Sequence, residues 1–186
     1  MSDTFNTEVE SLKNAHDTGY PLWACDKAAE YGYLEFMKYI NENDCQFSDN
    51  ACLLTAINGQ LECLKYLHTN GCQLTGMMCD LTALSGNLEC LKYLHKNDCP
   101  WSEWTFSCAA SRGHLECLKY LYENDCPWSG RTCKHAGLNG HLEALKYLHE
   151  NGCPWDADTC GYAESHSNPK CLQYALDNGC PRYWLS

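Results

Sequence analysis

Three histidines each stand four residues before a cysteine: His68 with Cys72, His95 with Cys99, and His149 with Cys153. By type these are the residues best suited to hold a metal ion, since residues four apart on a helix share a face and imidazole with thiolate is a zinc donor set. A structural zinc site takes about four such ligands. No Cys-x-x-Cys occurs here, and the matching pair elsewhere in the chain is Tyr122 with Cys126. Surface histidines and buried thiols are the preferred reading, and no cofactor or metal is expected. Catalysis finds as little support, because Gly-rich phosphate loops, Gly-x-Ser-x-Gly and His-Glu-x-x-His are all missing. No enzyme is expected.

The sixteen cysteines are the second chemical feature. In a secreted chain that density would suggest a disulfide framework. Here their order matters more than their number. One column holds Cys45, Cys72, Cys99, Cys126, Cys153 and Cys180; a second holds Cys25, Cys52, Cys79, Cys133 and Cys160; a third holds Cys63, Cys90, Cys117 and Cys171, with Cys108 apart. Packed helices lie about 8–10 Å apart, whereas a disulfide needs Cα atoms within about 7 Å, so cysteines of one column should not bridge to each other. Cross-column bonds stay open, as Cys153 with Cys160 or between the second and third columns. Against them stands the free cysteine as a small buried hydrophobe.

These columns exist because the whole chain repeats every 27 residues. His141–Trp155, read HLEALKYLHENGCPW, has copies beginning at His114, Asn87 and Gln60, and a fainter one at Tyr33. A period between about 20 and 50 residues signals a solenoid. Leu142, Leu145 and Leu148 form the apolar stripe of an amphipathic helix, with Glu143 and Lys146 paired on its surface. Asn151-Gly152 stops that helix, Pro154 blocks its continuation, and Ser48, Thr75, Ser102, Ser129 and Asp156 can cap the shorter helix that opens each next pair. Gly32, Gly59, Gly86, Gly113 and Gly140 make the turn inside each pair. The expected fold is all-α: an α-solenoid of stacked helix-turn-helix repeats. Residues 1–19 would form an N-terminal cap with a short helix over residues 4–15. Residues 20–180 would form six repeats, the last an altered cap, and residues 181–186 a tail. Trp101, Trp128 and Trp155 should pack the connector, and the Tyr39 to Tyr174 column should be half-buried with wet hydroxyls.

The residues GHLEALKYLHENG, preceded by Ala136-Gly137-Leu138-Asn139-Gly140, resemble the second half of an ankyrin repeat, which usually reads GHLEVVKLLLENGA after AAxNG. The likeness spans residues 20–180. The usual ankyrin period is about 33 residues, and the shortfall lies between Cys153-Pro154-Trp155 and Thr159, where ankyrin repeats carry a β-hairpin finger. The resemblance therefore implies an ankyrin-like stack with its fingers shortened or missing. Arrays with this Cys-Pro-Trp connector resemble ankyrin proteins of giant viruses, algae and oomycetes. The family implies an interaction scaffold or adaptor with a concave groove.

Positions that vary between copies are free for a partner. The most variable column reads Trp23, Asn50, Met77, Trp104, Arg131 and Asp158; the one three residues on reads Asp26, Leu53, Asp80, Ser107 and Lys134, then Gly161. Both lie on one helix face, and Trp and Arg are typical of binding hot spots. With a net charge of −11 there is no basic stripe for nucleic acid or anionic membrane, and a protein with a basic surface is the better partner. The opening residues read as no signal peptide and no apolar run is long enough to span a bilayer, so an intracellular monomer is expected. The competing reading is a cysteine-rich structural, thiol-redox or metal-buffering protein.

Overall fold

The computed structural model describes residues 22–42 and 47–181, apart from the side chains of residues 22–25 and 49. The helix expected over residues 4–15, with the rest of the 1–19 cap, lies outside the described residues, as do residues 182–186 of the tail. Among the described residues there are twelve helices and no strand. They fall in two compact units, residues 1–74 and 75–186. The first holds α1 (Leu22–Tyr31), α2 (Leu34–Glu42), α3 (Asp49–Ile57) and α4 (Leu61–Thr69). The second holds α5 (Gly76–Ser85), α6 (Leu88–Lys96), α7 (Glu103–Arg112), α8 (Leu115–Glu123), α9 (Gly130–Leu138), α10 (Leu142–Glu150), α11 (Ala157–Ser165) and α12 (Pro169–Asp177). Within each unit the helices form antiparallel pairs stacked as an α-solenoid, first helix against first and second against second. The two helices of a pair are nearly equal, 10 and 9 residues for α7 and α8, where a shorter first helix was expected.

Each second helix turns its Leu stripe inward. In α8 Cys117, Leu118 and Leu121 are buried, while Lys119 pairs with Glu116 at 2.7 Å on the outside. Each buried Leu contributes about 1.5–3 kcal/mol by leaving water, against a few tenths for an exposed ion pair. The Leu column holds the stack. First helices bury many small residues, Ala109 and Ala110 in α7 and Ala136 and Gly137 in α9, beside larger ones such as Phe106 in α7 and Met78 in α5. The small residues let neighbouring first helices approach closely. Their starts are capped where the sequence supplies the pieces: Ser102 accepts from Trp104 N while Thr105 Oγ1 accepts from Ser102 N at 3.1 Å. Thr75 makes no side-chain cap bond, and the residue three places on is Met78 rather than Thr.

The glycine between paired helices is required twice over. Gly113 sits at φ 71°, a left-handed conformation that a Cβ makes costly. A Cβ there would also lie 2.6 Å from Nδ1 of His141, which belongs to the following repeat. His141 reaches back because its Nε2 meets the Ser111 carbonyl at 3.1 Å, one of the carbonyls a helix end leaves unpaired. His114 does the same to Leu84 at 3.0 Å, and Asn168 donates to Leu138 at 2.6 Å. In the second unit each of the first three pairs is thus tied to the next through the end of its first helix.

The second helix ends on another left-handed residue, Gly152 at φ 84° but Asp98 at 58° and Asp125 at 56°. At Gly152 a Cβ would meet nothing within 4 Å, so side chains fit and only the backbone conformation is unfavourable. Asp98→Gly and Asp125→Gly should therefore each stabilise the fold by about 0.5–1 kcal/mol, read as a higher midpoint in urea with an unchanged slope. A lower midpoint for both would show that the aspartates make a contribution other than this turn.

Candidate functional site

In the second unit the variable column of the first helices lies in the open. Met77 on α5 is 64% exposed and Trp104 on α7 is 53% exposed, and Arg131 on α9 is exposed too. These residues occupy the first turn of successive helices, one residue beyond the helix start at positions set by the connector and the cap. Successive repeats therefore display Met, Trp and Arg side by side at helix-packing spacing, about 8–10 Å. Asp158 follows on α11, half-buried.

The column three residues on is less free than its variability suggested. Asp80 accepts a hydrogen bond from Thr105 Oγ1 on the next first helix at 2.5 Å. Lys134 pairs with Asp158 of the next repeat at 3.3 Å, and its ammonium lies 4.2 Å from the centre of the Tyr162 ring. The carboxylate and the ring hold the Lys134 charge, raising its pKa against the opposing effect of burial, which is the largest influence. Ser107 is 4% exposed, a correction to its expected place on the binding face: α7 turns it into the packed layer beside Phe106. Asp80 and Lys134 tie repeats together, whereas Met77, Trp104 and Arg131 of the outer column stand exposed. Tyr162 was missed by the column comparison because its column, from Lys27 through Leu54, Leu81, Cys108 and His135, had been assigned to neither packing nor binding.

The first unit shows the same division. Asn50 on α3 is exposed and Leu53 half-buried, while Asp26 on α1 accepts a hydrogen bond from Ser48, the cap of α3. Trp23 lies on α1, with its side chain outside the described residues.

The histidine and cysteine pairs do not converge. His95 stacks on Trp101 with ring centroids 3.7 Å apart, and its Nδ1 is 2.9 Å from the Tyr120 hydroxyl. His149 stacks on Trp155 at 3.8 Å. Burial lowers the pKa of His95, and Asp98 only partly offsets it. Cys99 points away from the histidine, its thiol 3.1 Å from the Thr75 carbonyl, and Cys72 is bonded to Cys52. Among the described residues no three His, Cys, Asp or Glu side chains could together hold a metal ion. The tryptophans pack the connector, as their constancy suggested. The Tyr120 hydroxyl is paired rather than wet, because the preceding repeat places the His95 ring nitrogen beside it.

Other thiols are poor nucleophiles. Burial pushes Cys63 and Cys117 up to about 11 and Cys126 to about 12. Among the described residues no helix is long and apolar enough to cross a membrane.

Residues 81–159 match the family model described as ankyrin repeats (3 copies). Among solved structures the chain is similar to the human ASB11 ankyrin repeat domain, with 19% identity, a TM-score of 0.72 and 84% of each chain covered. At that identity the likeness concerns the fold. No curated protein sequence matches the chain.

Proposed function

We propose that this chain, whose residues 81–159 are ankyrin repeats, is a monomeric scaffold that binds a protein partner across the first helices of its second unit. Ankyrin repeats are generally protein–protein interaction modules rather than enzymes. The observation that carries the reading is the exposure of Met77 and Trp104 at equivalent places on consecutive helices, followed by Arg131. A folded protein has no structural use for two large apolar side chains held side by side in water, and such residues supply interface hot spots. Met77, Trp104, Arg131 and Asp158 form the contact row, with Asp80 and Lys134 at its edge. In the ankyrin likeness this row corresponds to the concave groove. In the first unit Asn50 and Leu53, with Trp23 and Asp26, are the corresponding candidates. The net charge of −11 favours a partner with a basic surface, through steering and complementarity, inside the cell.

Affinity capture with the wild type and with Trp104→Ala plus Arg131→Ala tests this, once circular dichroism shows equal helix content. A partner enriched by the wild type should be lost from the double variant, with affinity reduced by about 2–4 kcal/mol, or roughly 30- to 1,000-fold, as hot-spot removal does. Equal capture by both proteins would rule out this face.

A further inference from the structure

We propose that the second and first cysteine columns form redox staples, one inside each repeat of the second unit that has both members: Cys79 with Cys99, Cys133 with Cys153, and Cys160 with Cys180. The inference stands apart from the partner reading and needs no ligand. Its starting point is the first unit, where Cys52 and Cys72, 20 residues apart, are joined with Cα atoms 6.6 Å apart. That bond links α3 to the segment after α4, a pairing different from both cross-column bonds the sequence suggested. The repeat carries this geometry forward.

In the second unit the second-column thiol of each equivalent pair touches the backbone of its connector partner. Cys79 Sγ lies 3.9 Å from the Cys99 carbonyl, Cys133 Sγ 3.8 Å from that of Cys153, and Cys160 Sγ 3.8 Å from that of Cys180. The connector thiols make their own contacts, with Cys99 3.1 Å from the Thr75 carbonyl and Cys180 3.2 Å from that of Asp156. Hydrogen bonds from Cys79 and Cys133 hold Cys99 and Cys153 below the usual thiol range, outweighing their burial, whereas burial pushes Cys180 up to about 12. The connector member is also the better exposed of each pair: 4% against 0% for Cys99 and Cys79, 3% against 0% for Cys153 and Cys133, 6% against 1% for Cys180 and Cys160. It is the thiol that a small oxidant meets first.

The chemistry is thiol–disulfide exchange with a low-molecular-weight disulfide such as oxidised glutathione. The connector thiolate attacks one sulfur of the reagent, forming a mixed disulfide and expelling one thiolate. The second-column thiolate then attacks the connector sulfur, closing the protein disulfide and expelling the other. The two protein thiol protons end on the two released glutathiones. Because these thiols are almost fully buried, the first attack waits on local opening of the connector. The closed staple ties the first turns of a first helix to the connector behind it, two residues from Met77 and Arg131 on the exposed row.

One repeat supplies an internal control, because Phe106 replaces the second-column cysteine opposite Cys126. Reduced protein would be incubated with oxidised glutathione under native conditions, trapped with N-ethylmaleimide, digested without reductant and mapped by mass spectrometry. The expected cross-links join 79 with 99, 133 with 153 and 160 with 180, while Cys126 is recovered alkylated. Phe106→Cys should convert Cys126 into a cross-linked residue. Should that variant not fold, Cys99→Ser keeps a donor toward Thr75 and should leave Cys79 alkylated or glutathionylated, with the other two links intact. Recovery of Cys79, Cys133 and Cys160 as alkylated thiols from oxidised, still helical protein would overturn the proposal. So would their appearance in links to third-column cysteines or to a second molecule.

Discussion

Gly113→Ala should lower the stability of the protein by about 2–3 kcal/mol, the sum of a left-handed alanine and a lost hydrogen bond. The new Cβ would sit 2.6 Å from His141 Nδ1, so the imidazole must swing away and leave the Ser111 carbonyl that it meets at 3.1 Å. Gly152→Ala is the matched comparison, because Gly152 is equally left-handed at φ 84° but has open space around it. It should cost only the backbone part, about 1–2 kcal/mol. Urea unfolding of both variants decides the matter. Equal losses would mean that the histidine contact contributes nothing.

Leu118→Ala should cost more, about 3–4 kcal/mol, because it removes a fully buried side chain and leaves a cavity. Leu118 is 0% exposed, and α8 has second helices packed on both sides, α6 and α10, so little can collapse into the space. Glu116→Ala on the same helix removes one half of an ion pair whose glutamate side chain is 68% exposed and should stay within about 0.5 kcal/mol. A loss below about 1 kcal/mol for Leu118→Ala would contradict the role given to the Leu column as the principal glue of the stack.

The fold was readable because its determinants are local and recur. The Leu stripe, the Asn-Gly stop, the caps at Ser102 and Asp156 and the glycine turns each act within a few residues, and the 27-residue period repeats each signal. What stayed hidden were contacts between repeats. Nothing in the single column Asp26, Leu53, Asp80 announces that its aspartates accept from Ser48 and Thr105 one repeat later, so variability there looked like freedom to bind. Ser107 was misjudged for a related reason: two residues three apart share a helix face, but that face is wide enough for one to be in water and the other under the neighbouring helix. The cysteine pairing escaped because the cross-column bonds that the spacing suggests join Cys153 to Cys160 of the next repeat or the second column to the third, whereas the bond joins the second column to the first within one repeat. Separation along the chain, 20 residues, is poor evidence of distance when a hairpin of helices folds back between.

The histidine that reaches back across the turn also gives the array a direction in time. During synthesis α5 can coil as soon as it leaves the ribosome, but its Leu84 carbonyl gains its partner only when His114, 30 residues later, has emerged. The same lag of 30 residues separates Ser111 from His141 and Leu138 from Asn168. Each of these three pairs is finished by its successor, so while they are being made the nascent chain carries one incomplete pair at its growing end.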